Sequence, residues 1–208
     1  MKKKIIPLCI YIFFLIFTTC GKKVMIPPRI NLKEHEIVGM IQFKCSNEGK
    51  LASLATRRFK QAIREDQGTV RIVDLGTEKE VLRKIGRNKL DKESFQLIGE
   101  KYEVNTIFVG NLNISDIRPD IDIGLVLRSM SINAEVDAEL DVQMIETETG
   151  ASLWNGSASA TRRIGGLSVI ERKFFTFDAD DPDRAYGELV DVLVDYLSRD
   201  FRVRWVRQ

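Results

Sequence analysis

The sequence predicts an α/β domain, a two-layer or three-layer mixed sheet with flanking helices in the order β-α-β-α-α-β-β-β-α. Three observations predict it. Apolar runs of strand length at 37–43 and 106–110 read as buried strands. The segments between them repeat apolar residues at helical spacing. From Ser129 to Met144 polar and apolar residues then alternate without a break, which describes a long strand buried on one side.

Each element can be justified in turn. Ile37-Val38-Gly39-Met40-Ile41-Gln42-Phe43 is the first strand, and Leu51, Leu54, Ala55, Phe59, Ala62 and Ile63 then mark the inner face of an amphipathic helix. Val70 to Val73 makes a short second strand. Thr77 with Glu80 three residues on has the form of a capping box, opening a helix through Leu82 and Ile85 that ends near Gly86. Asp91 is placed to cap the next helix, which carries Phe95, Leu97, Ile98 and Tyr102, and Thr106-Ile107-Phe108-Val109-Gly110 follows as a strand.

In the alternating stretch Met130, Ile132, Ala134, Val136, Ala138, Leu140, Val142 and Met144 fall on one face. Glu135, Asp137, Glu139 and Asp141 fall on the other. Glu146-Thr147-Glu148-Thr149-Gly150 supplies turn residues, so Leu153 to Ile164 returns antiparallel and a long hairpin occupies residues 129–164. After Pro182, the residues Ala185, Leu189, Val192, Leu193 and Tyr196 mark a closing helix.

The chain of 208 residues suits one folded unit plus a leader rather than two domains. Three of its 32 basic residues are Lys2, Lys3 and Lys4, leaving 29 against 30 acidic ones once a leader is removed. A net charge near −1 with mixed signs gives no broad footprint for nucleic acid, and none is expected as a partner.

The leader itself is legible. Met1 to Lys4 is a short basic region, and Ile5 to Phe17 is an apolar stretch of thirteen residues, below the roughly 20 needed to span a bilayer. Ile16-Phe17-Thr18-Thr19-Cys20 resembles a lipobox, in which small residues precede a cysteine that is acylated. The expectation is a signal peptide at 1–19, lipid on Cys20, a tether at 20–36 and a periplasm-facing domain at 37–208. An uncleaved N-terminal anchor is the alternative, and both place the domain outside the cytoplasm. Gly21 stands where, in the sorting scheme this resembles, an aspartate retains lipoproteins at the inner membrane, which favours the outer membrane.

Cys9 leaves with the leader and Cys20 carries lipid in this reading, which leaves Cys45 at the end of the first strand. A small core residue is expected there, with an intermolecular disulfide as the alternative. The tether carries Lys22, Lys23, Pro27, Pro28 and Arg29, and Gly21 to Glu36 spans at most about 50 Å fully extended.

Several phrases in order resemble the curli-secretion lipoprotein (CsgG-like) family, related to the TolB N-terminal domain and to lipoprotein activators of penicillin-binding proteins. They are Val38-Gly39-Met40-Ile41-Gln42-Phe43, Arg71-Ile72-Val73-Asp74, Ile107-Phe108-Val109-Gly110-Asn111-Leu112 and the turn phrase Glu146-Thr147-Glu148-Thr149-Gly150-Ala151-Ser152-Leu153-Trp154. Together they cover residues 36–200. The resemblance implies a non-enzymatic outer-membrane lipoprotein acting in envelope assembly or secretion, with envelope proteins as partners and a homo-oligomeric ring or channel as its form. It leaves a second reading, a regulator that activates a peptidoglycan synthase.

Channel-forming members of that family build a barrel from two hairpins per subunit, at positions corresponding to 114–131 and 162–179. In this chain Ile117, Ile121, Ile123, Leu125 and Leu127 offer part of an apolar face, while the second segment runs through Leu167 and Val169 and then breaks phase at Glu171. The candidate membrane or partner contacts are Ile121, Ile123, Leu125, Leu127, Phe174, Phe175 and Phe177. Clusters of this size seek cover.

Catalytic chemistry is not expected. His35 is the single histidine and lies in or beside the tether, where a serine-histidine pair has no fixed geometry. No metal or cofactor is expected, because alternate carboxylates on a flat strand do not wrap an ion, and Gly165-Gly166 lacks the context of a phosphate loop. The acidic row 135–141 reads as a solvated or subunit-facing surface. The alternating Phe201-Arg202-Val203-Arg204-Trp205-Val206-Arg207 suggests a terminal strand packed on the domain by Phe201, Val203 and Trp205, with contact to anionic lipid or peptidoglycan as the alternative.

Overall fold

The fold follows from which faces of each strand find cover. The computed structural model describes residues 22–45, 51–115, 118–121, 132–164 and 182–207. They fall into two units, Pro28–Arg202 and a smaller one whose described residues are 22–27 and 203–207. The smaller unit contains β1 (Lys23–Ile26) and β9 (Arg204–Arg207), paired antiparallel.

The larger unit holds the strands β2 (Ile37–Gln42), β3 (Lys44–Cys45), β4 (Arg71–Thr77), β5 (Thr106–Ile114), β6 (Arg118–Ile121), β7 (Ile132–Glu146) and β8 (Ser152–Ile164). Its helices are α1 (Leu51–Arg64), α2 (Glu78–Ile85), α3 (Lys92–Tyr102) and α4 (Pro182–Ser198). The predicted α/β class and mixed sheet hold. β2 lies between β4 and β5 and is parallel to both, whereas β5 to β7 and β7 to β8 are antiparallel.

The short strands are continuations. β3 extends the track of β2 along β5 after a break at Phe43, pairing Lys44 with Asn111. β6 extends the track of β5 along β7, pairing Arg118 with Glu135 and Ile121 with Ile132. β7 is therefore paired along one side by β5 and β6 and along the other by β8, which gives the predicted hairpin its length.

Helices cover the two faces unequally. One face carries Val38, Met40, Phe108, Leu112, Val136, Ala138, Leu140, Val142 and Met144, packed against α1 through Leu54, Ala55 and Phe59 and against α4 through Leu189, Leu193 and Leu197. The other face carries Ile41, Leu75, Ile107 and Ile145 under Val81 of α2 and Phe95 and Ile98 of α3. This second cluster stops at Ile145. Among the described residues the larger unit has three layers over β4, β2 and β5 and two over most of the hairpin.

Aromatic rings tie the larger core together. Phe59 meets Phe108 at 5.5 Å between ring centroids, Phe108 meets Phe201 at 5.7 Å and Phe201 meets Trp154 at 4.8 Å, all near edge-to-face. That geometry contributes about 1 kcal/mol per pair beyond area burial. Gly110 permits the close approach of a fifth ring, since a Cβ there would sit 2.7 Å from the Phe43 ring.

The local signals act as expected. Thr77 accepts from the Glu80 backbone N–H at 3.3 Å while Glu80 accepts from that of Thr77 at 3.0 Å, and α2 ends on Gly86 in the left-handed region. Asp91 caps α3 by accepting from the Ser94 N–H at 3.0 Å. That bond is the main reason its carboxyl is lowered to about 2, with Arg87 adding to it.

Within the segment expected as a tether, 20–36, the structure contains β1 and a 3-10 turn at Leu32–His35 whose Leu32 is fully buried. Its apolar residues Val24, Met25, Ile26, Ile30 and Leu32 were sparse enough among lysines and prolines to pass as linker. Among the described residues no helix is long and apolar enough to cross a membrane.

Candidate functional site

Among the described residues no helix covers the second face of the hairpin, and that face is polar. With Leu140 and Val136 buried, the pleat turns Asp137, Glu139, Asp141 and Gln143 to the opposite face. Register brings Asn113 beside Glu139 and Asn111 beside Asp141 on the β5 side. On the β8 side it brings Thr161 beside Asp137, Ser159 beside Glu139 and Ser157 beside Asp141. The result is a three-strand surface of carboxylates, amides and hydroxyls, with carboxylates along its middle strand.

Hydrogen bonds hold this surface flat. Thr161 Oγ1 donates to Asp137 Oδ1 at 2.6 Å, Ser157 Oγ to Glu139 Oε1 at 3.3 Å, and Asn111 Nδ2 to Asn113 Oδ1 at 3.0 Å. At one end the Ser115 N–H donates to the Asp137 carbonyl at 2.8 Å and the Asp137 N–H to Ser115 Oγ at 3.0 Å. Around these residues lies a shallow depression of about 560 Å³. Such a surface can take hydrogen bonds and positive charge from a partner. Among the described residues no group of three or more His, Cys, Asp or Glu side chains is arranged to hold a metal ion.

A second depression, about 570 Å³, lies between β8 and α4 and is lined by Ser157, Ser159, Asp191, Val192, Tyr196 and Arg199. Val192 and Tyr196 are exposed there, and the Arg199 guanidinium sits 4.9 Å from the Tyr196 ring centroid. β8 has no strand on its outer edge among the described residues. An unpaired edge thirteen residues long, flanked by exposed apolar side chains, is a template for further pairing.

A third depression, about 790 Å³, lies at the C-terminal ends of β2 and β4, where parallel sheets commonly bind ligands. Two of the four cations that line it, Lys44 and Arg87, are paired with acids. Lys44 pairs with Glu78 at 2.8 Å, and Arg87 with Asp91 at 3.1 Å and Glu93 at 2.7 Å.

The residues singled out in the sequence fare unequally. His35 sits at the end of the 3-10 turn with Nδ1 3.1 Å from Thr106 Oγ1, and burial lowers its pKa against the opposing charges of Glu34 and Glu146. Cys45 is half-buried and packs against the larger core, as a small core residue would. Phe201 is in that core, and Trp205 lies in β9 of the smaller unit, where it pairs with Met25 of β1. Ile121 lies on β6, while Cys20, Ile123, Leu125, Leu127, Phe174, Phe175 and Phe177 lie outside the described residues.

One structural residue gave no sequence signal. Gln67, just beyond α1, is 2% exposed, accepts from the Leu32 N–H at 2.9 Å and donates to the Ile30 carbonyl at 2.8 Å.

No family model matches the chain, and no curated protein matches it. Solved structures similar to it include the PelC dodecamer from Paraburkholderia phytofirmans, with 12% identity, 88% of this chain and 99% of that chain covered, and a TM-score of 0.42. They also include the LpoB C-terminal domain from Salmonella enterica, with 12% identity, 65% and 84% covered and a TM-score of 0.37. A third is the lipoprotein GNA1162 from Neisseria meningitidis, with 10% identity, 78% and 97% covered and a TM-score of 0.38.

Proposed function

We propose that this chain is a lipid-anchored envelope protein that works through protein contacts rather than catalysis. The observation that carries the reading is the hairpin, covered by helices on one face and, among the described residues, left on the other as a three-strand polar surface beside an edge with no strand partner. A strand pair that long needs no bare face for stability alone. Its exposed carboxylates and hydroxyls suit recognition of a partner's donors and cations.

The anchor is Cys20, because Thr18-Thr19-Cys20 closes an apolar stretch of signal-peptide length. The membrane is the outer one, since Gly21 rather than aspartate follows. In finer terms we read a curli-type export component, an oligomeric ring or channel in which Ile121, Ile123, Leu125, Leu127, Phe174, Phe175 and Phe177 make membrane or subunit contacts. The alternative of a regulator reaching to a peptidoglycan synthase is disfavoured by a specific observation. Residues from Pro28 belong to the larger unit, so the chain between Cys20 and that unit spans at most about 30 Å.

Two measurements test this. Labelling with a palmitate analogue in cells should mark the protein and fail for Cys20→Ser; equal labelling, or equal membrane retention after a carbonate wash, sinks the anchor. Electron microscopy of detergent-extracted protein should show rings, whereas monomers that recover a penicillin-binding protein in a pull-down would favour the regulator.

A further inference from the structure

The smaller unit has a composition unlike the rest of the chain. Its ribbon pairs Lys23 with Arg207, Val24 with Val206, Met25 with Trp205 and Ile26 with Arg204. Directly opposed residues of an antiparallel pair share a face, so Lys23, Arg207, Met25 and Trp205 form one side. Met25 is 53% and Trp205 64% exposed, which leaves two large apolar side chains adjacent and uncovered, with a cation pair at one end of the same face.

Charge gives the second observation. The described residues of this unit include Lys22, Lys23, Arg204 and Arg207 and no carboxylate. None of the four makes an ion pair with any described residue, although Arg29 and Arg202, just outside the unit, are paired with acids. A surface that exposes tryptophan and methionine beside cations with no acid partner among the described residues is matched by a boundary that is apolar on one side and phosphate-bearing on the other.

We propose that the β1–β9 ribbon is a second membrane contact, which lays Met25 and Trp205 into the headgroup region of an anionic bilayer and sets Lys23 and Arg207 of the same face on lipid phosphates, while Lys22 and Arg204, turned to the other face, add their longer-range attraction. The inference rests on the reading of Cys20 as the acylated residue. Lys23 follows Cys20 by three positions, at most about 10 Å of chain, so the lipid holds the ribbon at the surface. A lipid chain alone fixes the distance of a protein from the membrane and leaves its rotation free, and a two-stranded face with an aromatic anchor adds an orientation. Each cation near such a surface strengthens partition roughly fivefold.

The test uses the full-length protein reconstituted into phosphatidylcholine vesicles with and without phosphatidylglycerol. The chain has two tryptophans, and Trp154 is partly buried against the core of the larger unit, so the difference between wild type and Trp205→Phe isolates Trp205. Trp205 should be quenched by lipid brominated near the headgroup and shielded from aqueous acrylamide, more strongly with phosphatidylglycerol. Joint replacement of Lys22, Lys23, Arg204 and Arg207 by glutamine should abolish that dependence while the circular dichroism spectrum is unchanged. Trp205 quenched equally by acrylamide in both vesicles and in detergent overturns the proposal, as does saturable binding to purified peptidoglycan sacculi with no response to lipid.

The anchor is read separately by mass spectrometry of Cys20. An acylated protein whose Trp205 ignores the lipid sinks the ribbon and leaves the anchor standing. An unacylated protein that still sediments with the anionic vesicles, and fails to do so once the four cations are replaced, keeps the ribbon and sinks the anchor.

Discussion

Gln67 Nε2 donates to the Phe201 carbonyl at 2.7 Å, joining two positions separated by 134 residues of chain. The same amide donates to Ile30 and accepts from Leu32, so one buried side chain satisfies three backbone groups that no strand or helix pairs. Phe201 is thereby held with its ring against Trp154 and Phe108. Gln67→Leu keeps the volume and removes every one of these bonds. It should destabilise the domain by about 3 kcal/mol, read as a lower denaturant midpoint at unchanged slope, because buried groups lose their partners. A midpoint like that of wild type would mean that water replaces the amide.

The hairpin predicts a contrast between neighbours in sequence. Val136 and Leu140 are fully buried, so Val136→Asp or Leu140→Asp should cost about 4 kcal/mol or prevent folding, the cost of an unpaired charge in the core. Asp137→Asn and Glu139→Gln, on the polar face, should change stability by less than about 0.5 kcal/mol. Four equal melting temperatures would contradict the assigned face of β7.

This contrast was legible in the sequence because strand alternation is a local property, and so were the capping box at Thr77 and the caps at Asp91 and Gly86. The polar face itself was legible as the acidic row, including its reading as a solvated or subunit-facing surface. The pairing of Met25 with Trp205 was not, since it depends on two short segments at opposite ends of the chain meeting, and four residues of strand carry no period of their own. β3 was missed for a related reason: it continues the track of β2 past Phe43 and is defined by the register of β5 rather than by its own residues. Gln67 was invisible because a glutamine three residues beyond an amphipathic helix ordinarily faces water.

His35 predicts a pH dependence. Its pKa is lowered in the folded state, chiefly by burial, so folding favours the neutral ring. The stability it contributes is fully present above the ordinary imidazole value of about 6.5 and is lost as pH falls through the lowered folded value. Denaturant midpoints between about pH 7 and 5 should therefore decline more steeply for wild type than for His35→Gln. Parallel curves would show that the ring is solvated in both states.

The last prediction concerns the segments on which the export reading depends. Ile121 lies on β6 against Ile132 of β7, so the chain enters the first segment as an extended strand beside the hairpin rather than as a detached loop. Ile123, Leu125 and Leu127 continue its alternation, and Phe174, Phe175 and Phe177 bring a second apolar group between β8 and α4 in sequence. If these residues enter a bilayer, a cysteine placed at Leu125 or Phe175 in a chain carrying Cys45→Ala should react with a lipid-soluble maleimide and resist a water-soluble one. If instead they join subunits, protection should vanish when the oligomer is dissociated by dilution. Rapid reaction of both positions with the water-soluble reagent in the intact protein would remove the ring and channel reading. The polar face of β7 and the unpaired edge of β8 would then be the surfaces left for a partner.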